Sequence, residues 1–454
     1  MQSRSLTEGK IGPALLRFSL PFLLSSLLQA LYGAVDLMIT GQFAGTAAQA
    51  AVATGTQIMQ IVTGITLGLA TGVTVLIGHR VGARDNEGSA SAVGSGAITL
   101  VVLAAILTPV LLLCNHFLVS LMQVPEVAVL SARQYLFVCS CGIPFIMGYH
   151  VIGAIYRGLG DSKTPLVFIA IACGLNIIAD LALVGGLKLG ALGAALATVG
   201  AQGISFLLAL LFIAKRGFPF PFQRRHFKPR RDAVSRIVKV GAPLALQEAL
   251  VTLSFLIITA IVNSISVDAS ASVGIVEKII YFTMLPPLSF GSAVAAMSAQ
   301  NIGAGRPDRA FQTVQKGILY SLIFGVLVCV YCQFLPHTLT AIFSKDAPVI
   351  AMAATYLRSY SLDCVMVSFV FPLNSYFSGL GRSVIVMAHS LITTFLVRIP
   401  ISYIASRTVT TSLTGMGFAP PAASLASVVI LVVYFFILRK TAPELFRVGQ
   451  SAAS

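Results

Sequence analysis

RFSLPFLLSSLLQALYGAVDLMITGQFAGTAAQAAVATGTQIMQIVTGITLGLATGVTVLIGHR, Arg17 to Arg80, holds no Lys, Arg or Glu between its ends and a single Asp, Asp36. About 20 apolar residues suffice to cross a hydrocarbon core roughly 30 Å thick. The stretch is therefore long enough for two crossings, expected at 14–40 and 50–78. The rest of the chain has the same character. It is 57% hydrophobic and only 10% charged, with a mean hydropathy of +0.91. A soluble chain of 454 residues needs far more polar surface to cover its core. Further apolar runs predict spans at 92–115, 132–156, 165–186, 190–214, 238–263, 269–297, 313–334, 349–377, 384–405 and 413–438, twelve in all.

The chain also repeats itself. Val81-Gly82-Ala83-Arg84 is echoed by Ile302-Gly303-Ala304-Gly305, Gly158-Leu159-Gly160 by Gly379-Leu380-Gly381, and Tyr135 by Tyr356, all at one offset. A shared offset across separated segments marks an internal duplication. With six spans per half, both halves enter from the same side of the membrane. The expected fold is an all-α integral membrane protein of twelve transmembrane helices, in two six-helix lobes related by a pseudo-two-fold axis along the membrane normal. The expected domains are an amino-terminal lobe (1–214), a basic linker (215–237), a carboxy-terminal lobe (238–440) and a tail (441–454).

A net charge of +15 raises nucleic-acid binding as a possibility, but the positions of the charges decide against it. With twelve spans, the side that holds both termini carries 23 of the 30 Lys and Arg. Nine of them, Lys215, Arg216, Arg224, Arg225, Lys228, Arg230, Arg231, Arg236 and Lys239, crowd one connector that also contains Pro219, Pro221 and Pro229. The positive-inside rule puts this connector and both termini in the cytoplasm, and the protein in the inner or plasma membrane. Anionic lipid is a natural partner for such a segment. The seven cysteines fall in or beside the spans without metal-ligand spacing, as small packing residues do. No Walker A sequence, H-E-x-x-H or G-x-S-x-G is present. The sequence thus describes no enzyme, no cofactor and no built-in ATPase, and uphill transport would draw on an ion gradient.

Five acids fall inside spans: Asp36, Asp180, Glu248, Glu277 and Asp363. A carboxylate at mid-membrane costs about 2.5–3.5 kcal/mol on insertion scales, so it must find a partner, water, a bound cation or a proton. Gln29, Tyr32 and Asp36 recur at three and four residues and share a helix face, with Pro21 upstream as a bend or hinge. Asn176 and Asp180 lie one turn apart in the fifth span, and Thr198 on the sixth adds a hydroxyl. This carboxylate–amide–hydroxyl set suits either Na⁺ or a proton relay. In the other half, the counterpart of Asp36, around Ile257 to Thr259, is uncharged. Tyr281, Phe282, Met284 and Met297 are of types that line hydrophobic clefts.

In its length, duplicated halves and basic central linker, the chain resembles the multidrug and toxic compound extrusion family, of the bacterial DinF-like type. The specific markers are Pro21…Gln29-x-x-Tyr32-x-x-x-Asp36, the set Asn176-x-x-x-Asp180…Thr198, and the paired loops Gly78-His79-Arg80-Val81-Gly82 and Ala299-Gln300-Asn301-Ile302-Gly303. The resemblance implies that Asp36, Asn176, Asp180 and Thr198 form an amino-lobe cation-coupling site. Pro21, Gln29 and Tyr32 would serve the substrate path or its gating. Some branches place coupling carboxylates in the carboxy lobe, where Glu248, Glu277 and Asp363 occupy comparable spans. The activity implied is export of small cationic or amphiphilic compounds in exchange for H⁺ or Na⁺, by a chain that forms a complete pathway as a monomer. The alternative from the same superfamily is a flippase for a lipid-linked saccharide, for which a more cationic cleft is expected.

Overall fold

A computed structural model describes residues 6–407 and 413–446. Helices dominate, and no β-strand occurs among the described residues. In chain order they are α1 (Ile11–Gly82), α2 (Asn86–Leu121), α3 (Glu126–Gly158), α4 (Lys163–Asp180), which runs into a π-helical turn (Leu181–Gly186), and α5 (Gly190–Arg216). After a 3-10 turn (Arg224–Phe227) come α6 (Arg231–Asn263), α7 (Val267–Gly303), α8 (Pro307–Phe334), the short α9 (Pro336–Thr340) and α10 (Ala347–Gly379). The chain ends with α11 (Ser383–Thr393), a second π turn (Thr394–Arg398), α12 (Ile399–Ser406), α13 (Thr414–Gly417) and α14 (Ala419–Thr441).

Ten helical segments are long and apolar enough to cross a membrane. One of them, α1, has 72 residues and would be about 108 Å long if straight, more than three bilayer cores. It breaks at Gly45, whose φ of 80° and ψ of 177° lie where residues with a side chain are strained. Two crossings therefore sit on either side of Gly45. The twelfth is α10, whose hydropathy is diluted by Arg358 and Asp363. The twelve-helix reading thus holds, with the first connector reduced to a single glycine kink.

The duplication is written into the helix ends. After α1, the N–H groups of Ala83, Arg84 and Asp85 donate to the carbonyls of His79, Val81 and Arg80, each at 3.0 Å. After α7, Ala304, Gly305 and Arg306 donate in the same pattern to Gln300, Ile302 and Asn301. The Gly-Leu-Gly repeats close α3 and α10 identically, through Leu159, Gly160 and Asp161 and through Leu380, Gly381 and Arg382. The closing residues Gly160, Gly381 and Gly305 all have positive φ, and Arg84 adopts it at 55° without being glycine. The first glycine of each repeat serves packing instead. A Cβ on Gly158 would lie 2.8 Å from Ile77 Cβ and 2.9 Å from the Thr74 carbonyl oxygen. One on Gly379 would lie 3.0 Å from the Ala295 carbonyl and from Ser298, the residues that match Thr74 and Ile77 in the repeat.

By packing, the chain divides into one unit of Leu24–Ala245 and another of Leu6–Leu23 with Leu246 onward. The sequence places the division in connector 215–237. The packing boundaries instead fall inside α1 and α6, two to three residues beyond Pro21 and Pro243. The reason on the α6 side is close backbone contact. Cβ atoms built on Gly68 and Gly72 would lie 2.3 Å from Ala245 N and from the Ile237 carbonyl oxygen, and one on Gly241 2.7 Å from Leu69 Cα. Such small-residue seams are what hold helices together in lipid, where no hydrophobic drive exists between them. The connector itself is ordered on α2. Phe222 meets Phe218 and Phe227 edge to face, His226 Nε2 and Arg225 both reach Glu87 at 3.2 Å, and the Arg230 N–H donates to Ser95 Oγ. The tail beyond residue 446 lies outside the described residues.

Gly158→Ala should destabilise the folded protein by about 1–3 kcal/mol through overpacking. Gly379→Ala should cost less, because its contacts are looser. Gly174→Ala, with nothing within 4 Å of the new methyl, should be neutral or mildly stabilising. Thermal unfolding of the three variants in detergent checks this order.

Candidate functional site

The polar face of α1 meets three different helices. Gln29 lies beside Tyr149 of α3, and Tyr32 Oη accepts a 3.5 Å hydrogen bond from Gln202 Nε2 of α5. Asp36, 6% exposed, lies near enough to the carboxyl group of Asp180, at the end of α4, for each to act on the other. One turn before Asp180, the Asn176 Nδ2 donates to Thr198 Oγ1 of α5 at 3.5 Å. Asp36, Asn176, Asp180 and Thr198 are thus brought together by α1, α4 and α5. The face-sharing argument from spacing explains how, because 3.6 residues per turn align Gln29, Tyr32 and Asp36.

Two electrostatic features define this cluster. First, it has oxygens to spare: Asp36 Oδ1, Asn176 Oδ1 and both carboxylate oxygens of Asp180 are buried without a hydrogen-bond partner. Second, it has no counter-charge, since no Lys, Arg or His acts on either carboxyl group. Two neighbouring carboxyl groups need a proton or a cation between them. A buried, unpaired charge is otherwise too costly to keep. The π-helical turn begins immediately after Asp180, where Leu187 N–H reaches back to the Ala182 carbonyl. Single π turns of this kind concentrate at functional positions.

The carboxy-terminal acids are arranged differently. Asp363, 3% exposed, lies beside Ser424, and Asp363 and Glu277 both lie in the field of Arg398. The Arg398 guanidinium stacks 4.2 Å over the Phe255 ring. Two of the three expected acids are therefore gathered around a cation. Glu248 is exposed and joins neither cluster. Met297 is fully buried and packs the core, so it lines no cleft; Tyr281 and Phe282 are exposed. Pro21 is buried in α1, upstream of the cluster, next to the boundary between the packing units.

Two residues of the amino-terminal cluster escape a reading of the sequence. Gln202 follows Thr198 by one turn and carries a buried Oε1 without a partner. Thr40 follows Asp36 by one turn and is fully buried, with its hydroxyl unpartnered. Both sit at i+4 from a residue already singled out, and that spacing is the signal that would find them.

A twelve-span helical chain with an acid pair at the heart of one unit defines a multi-pass membrane transporter. The MatE family model matches the chain twice, over residues 21–182 and 243–404, so the chain belongs to that family of transporters, which is not a family of enzymes. The two matches restate the internal duplication. Among relatives, the probable multidrug resistance protein YoeA of Bacillus subtilis is 26% identical, covering 97% of each chain. The probable multidrug resistance protein YpnP of the same species is 28% identical, over 89% of this chain and 91% of its own. Among solved structures, the outward-facing conformation of a multidrug resistance MATE family transporter superposes with a TM-score of 0.90 at 21% identity, over 97% of this chain and 99% of its own.

Removing Arg398 should strand two acids. Arg398→Gln is expected to cost about 3 kcal/mol or more of stability, and adding Asp363→Asn to recover part of it. Asp36→Asn, which removes one of two like charges, should leave stability unchanged or raise it. Unfolding temperatures at neutral pH distinguish the two kinds of cluster.

Proposed function

We propose that this chain is a secondary antiporter of the cell membrane, with both termini cytoplasmic, which exports small cationic or amphiphilic compounds in exchange for H⁺ or Na⁺. The observation that carries the reading is the Asp36–Asp180 carboxyl pair, buried, rich in free oxygens and lacking a protein cation. Asp36, Asn176, Asp180 and Thr198 form the coupling site. Asn176 and Thr198 orient one another, which leaves Asn176 Oδ1 free as a neutral donor to an entering ion.

The coupling follows from electrostatics. With an ion or proton between them, the two carboxyl groups draw α1 toward α4. Without it, two carboxylates about 4 Å apart repel by roughly 4 kcal/mol at an effective dielectric near 20. That difference shifts a conformational equilibrium by about a thousandfold. α1 is the element that responds, because Gln29 and Tyr32 on the same face meet α3 and α5, and Pro21 interrupts its hydrogen-bond ladder. A cationic guest and the coupling ion compete for the same oxygens, so binding of one favours release of the other. Relatives named as multidrug resistance and multidrug export proteins support the class of cargo. The chain works as a monomer in this reading.

Efflux of a fluorescent cationic dye from proteoliposomes, with H⁺ and Na⁺ gradients imposed separately, tests it. Efflux under one gradient, reduced at least a hundredfold by Asp36→Asn and by Asp180→Asn, is expected, and the gradient that works names the ion. Efflux unchanged in both folded variants would remove the amino-terminal site from the mechanism. No dye movement under either gradient would favour lipid-linked saccharide as cargo.

A further inference from the structure

A cavity of about 510 Å³ opens between the segment Gly9–Pro13 and the first three turns of α8. Its walls include Lys10, Arg309 and Lys316, the amides of Gln312 and Gln315, and Tyr320, and no acid. Lys10, Gln312, Gln315 and Lys316 are exposed, so the cavity is open to what surrounds the protein. Arg309 is not: it is 9% exposed, and while its Nε donates to Asn301 Oδ1 at 3.3 Å, one terminal nitrogen is buried without any partner. The carboxylates that act on Arg309 are those of Asp308 and Glu8, and neither lines the cavity. A buried guanidinium N–H left without an acceptor is costly unless something else supplies one.

The internal repeat shows what the same place looks like when it is filled. Arg309, Gln312, Gln315 and Lys316 of α8 correspond to Gly88, Ser91, Gly94 and Ser95 of α2. On α2 that face is closed by the chain itself. The His226 carbonyl packs so tightly on Gly94 that no Cβ fits, Arg230 N–H donates to Ser95 Oγ, and Glu87 is paired by Arg225 and His226. Arg80 is paired by Asp85 and Asp232. On α8 the charges are changed: Arg80 becomes Asn301, Asp85 becomes Arg306, and two exposed cations, Lys10 and Lys316, stand at a cavity that the buried Arg309 also lines. The covering segment is nonetheless fixed. Asn301 Nδ2 donates to the Leu6 carbonyl, Arg306 to the Thr7 carbonyl at 2.9 Å, and Gly12 seats against the Tyr320 hydroxyl.

We propose that this cavity binds a phosphate group, with Arg309 as its buried anchor, Lys10 and Lys316 as the cations at its mouth, and Gln312 and Gln315 as neutral donors. The cavity sits at the end of a membrane-spanning helix, the level at which lipid head groups lie, and the phosphate of an anionic phospholipid meets it there. A free phosphate presents the same chemistry. The guanidinium supplies the planar donor fork that phosphate oxygens accept, and the lysines supply point charge. The site lies apart from the acid pair and belongs to the other packing unit.

The test is native mass spectrometry and thermal shift on the full chain in detergent, titrated with short-chain phosphatidylglycerol, short-chain phosphatidylcholine or inorganic phosphate. Variants are Arg309→Gln, the exposed pair Lys10→Ala/Lys316→Ala, and Lys228→Ala in the basic connector as a control. Phosphatidylglycerol should bind the wild type and lose about tenfold in affinity in each of the first two variants, with no change in the control. Inorganic phosphate binding with the same dependence would assign the site to free phosphate. If Arg309→Gln fails to fold, the surface pair decides. Binding indifferent to both variants, equally weakened by Lys228→Ala, or absent with all three probes would overturn the proposal.

Discussion

Everything distinctive in the amino-terminal half turns on two neighbouring carboxyl groups without a cation to reconcile them. A soluble protein would let water do this. In a bilayer each unpaired buried charge costs several kcal/mol, so two neighbouring acids without a cation are costly to keep ionised. The fold makes the pairing unavoidable. Asp36 shares its face of α1 with Gln29 and Tyr32, which meet α3 and α5, and Asp180 stands at the last α-helical turn before the chain loosens into a π turn. The loosened ladder beside a tightly constrained side chain gives the pair one fixed partner and one adaptable one.

The duplication shows how specific this arrangement is. The two family matches open on Pro21 and on Pro243, and the counterpart of Asp36, around Ile257 to Thr259, is uncharged. The proline is kept in both halves, while the charges differ and the π turns, Leu181–Gly186 and Thr394–Arg398, fall at different places in the repeat. Where the first half leaves acids without a cation, the second places a cation and calls in acids from α7 and α10. Arg398, stacked on Phe255, acts on Glu277 and Asp363, whereas no cation acts on Asp36 or Asp180. A backbone framework common to both halves thus carries different chemistry.

Much of this was legible in the sequence. The spans and the repeat follow from hydropathy and a constant offset, and helical spacing puts Asn176 with Asp180 on one face; that Asp36, Asn176, Asp180 and Thr198 form one set was implied by the family resemblance. What periodicity cannot reach is contact between distant segments. Gly45 reads as an ordinary connector residue, although it joins two crossings into one 72-residue helix with a single kink. The packing boundary at Pro21 and Pro243 depends on Gly68, Gly72 and Gly241 meeting backbone to backbone, and helical glycines look alike in sequence whether they pack or not. Thr40 and Gln202 were hidden because a threonine or glutamine inside a span has several bland explanations until its unpartnered oxygen is seen. Glu248 and Asp363 look equivalent as acids within spans, yet one is exposed and the other is buried inside a cluster.

The division of α1 between packing units sets a timetable for biogenesis. Residues 6–23 leave the ribosome before residues 24–245, yet they pack with the unit made after those. Gly12 must wait for Tyr320, and at roughly 5–20 residues per second that wait is on the order of 15–60 s. Through that interval the first half-helix is in the membrane without its final neighbours. The unit 24–245, by contrast, gathers all of its members as soon as the first half of α6 emerges. The nascent chain therefore completes its second unit by reaching back to residues 6–23, and the order of synthesis differs from the order of assembly.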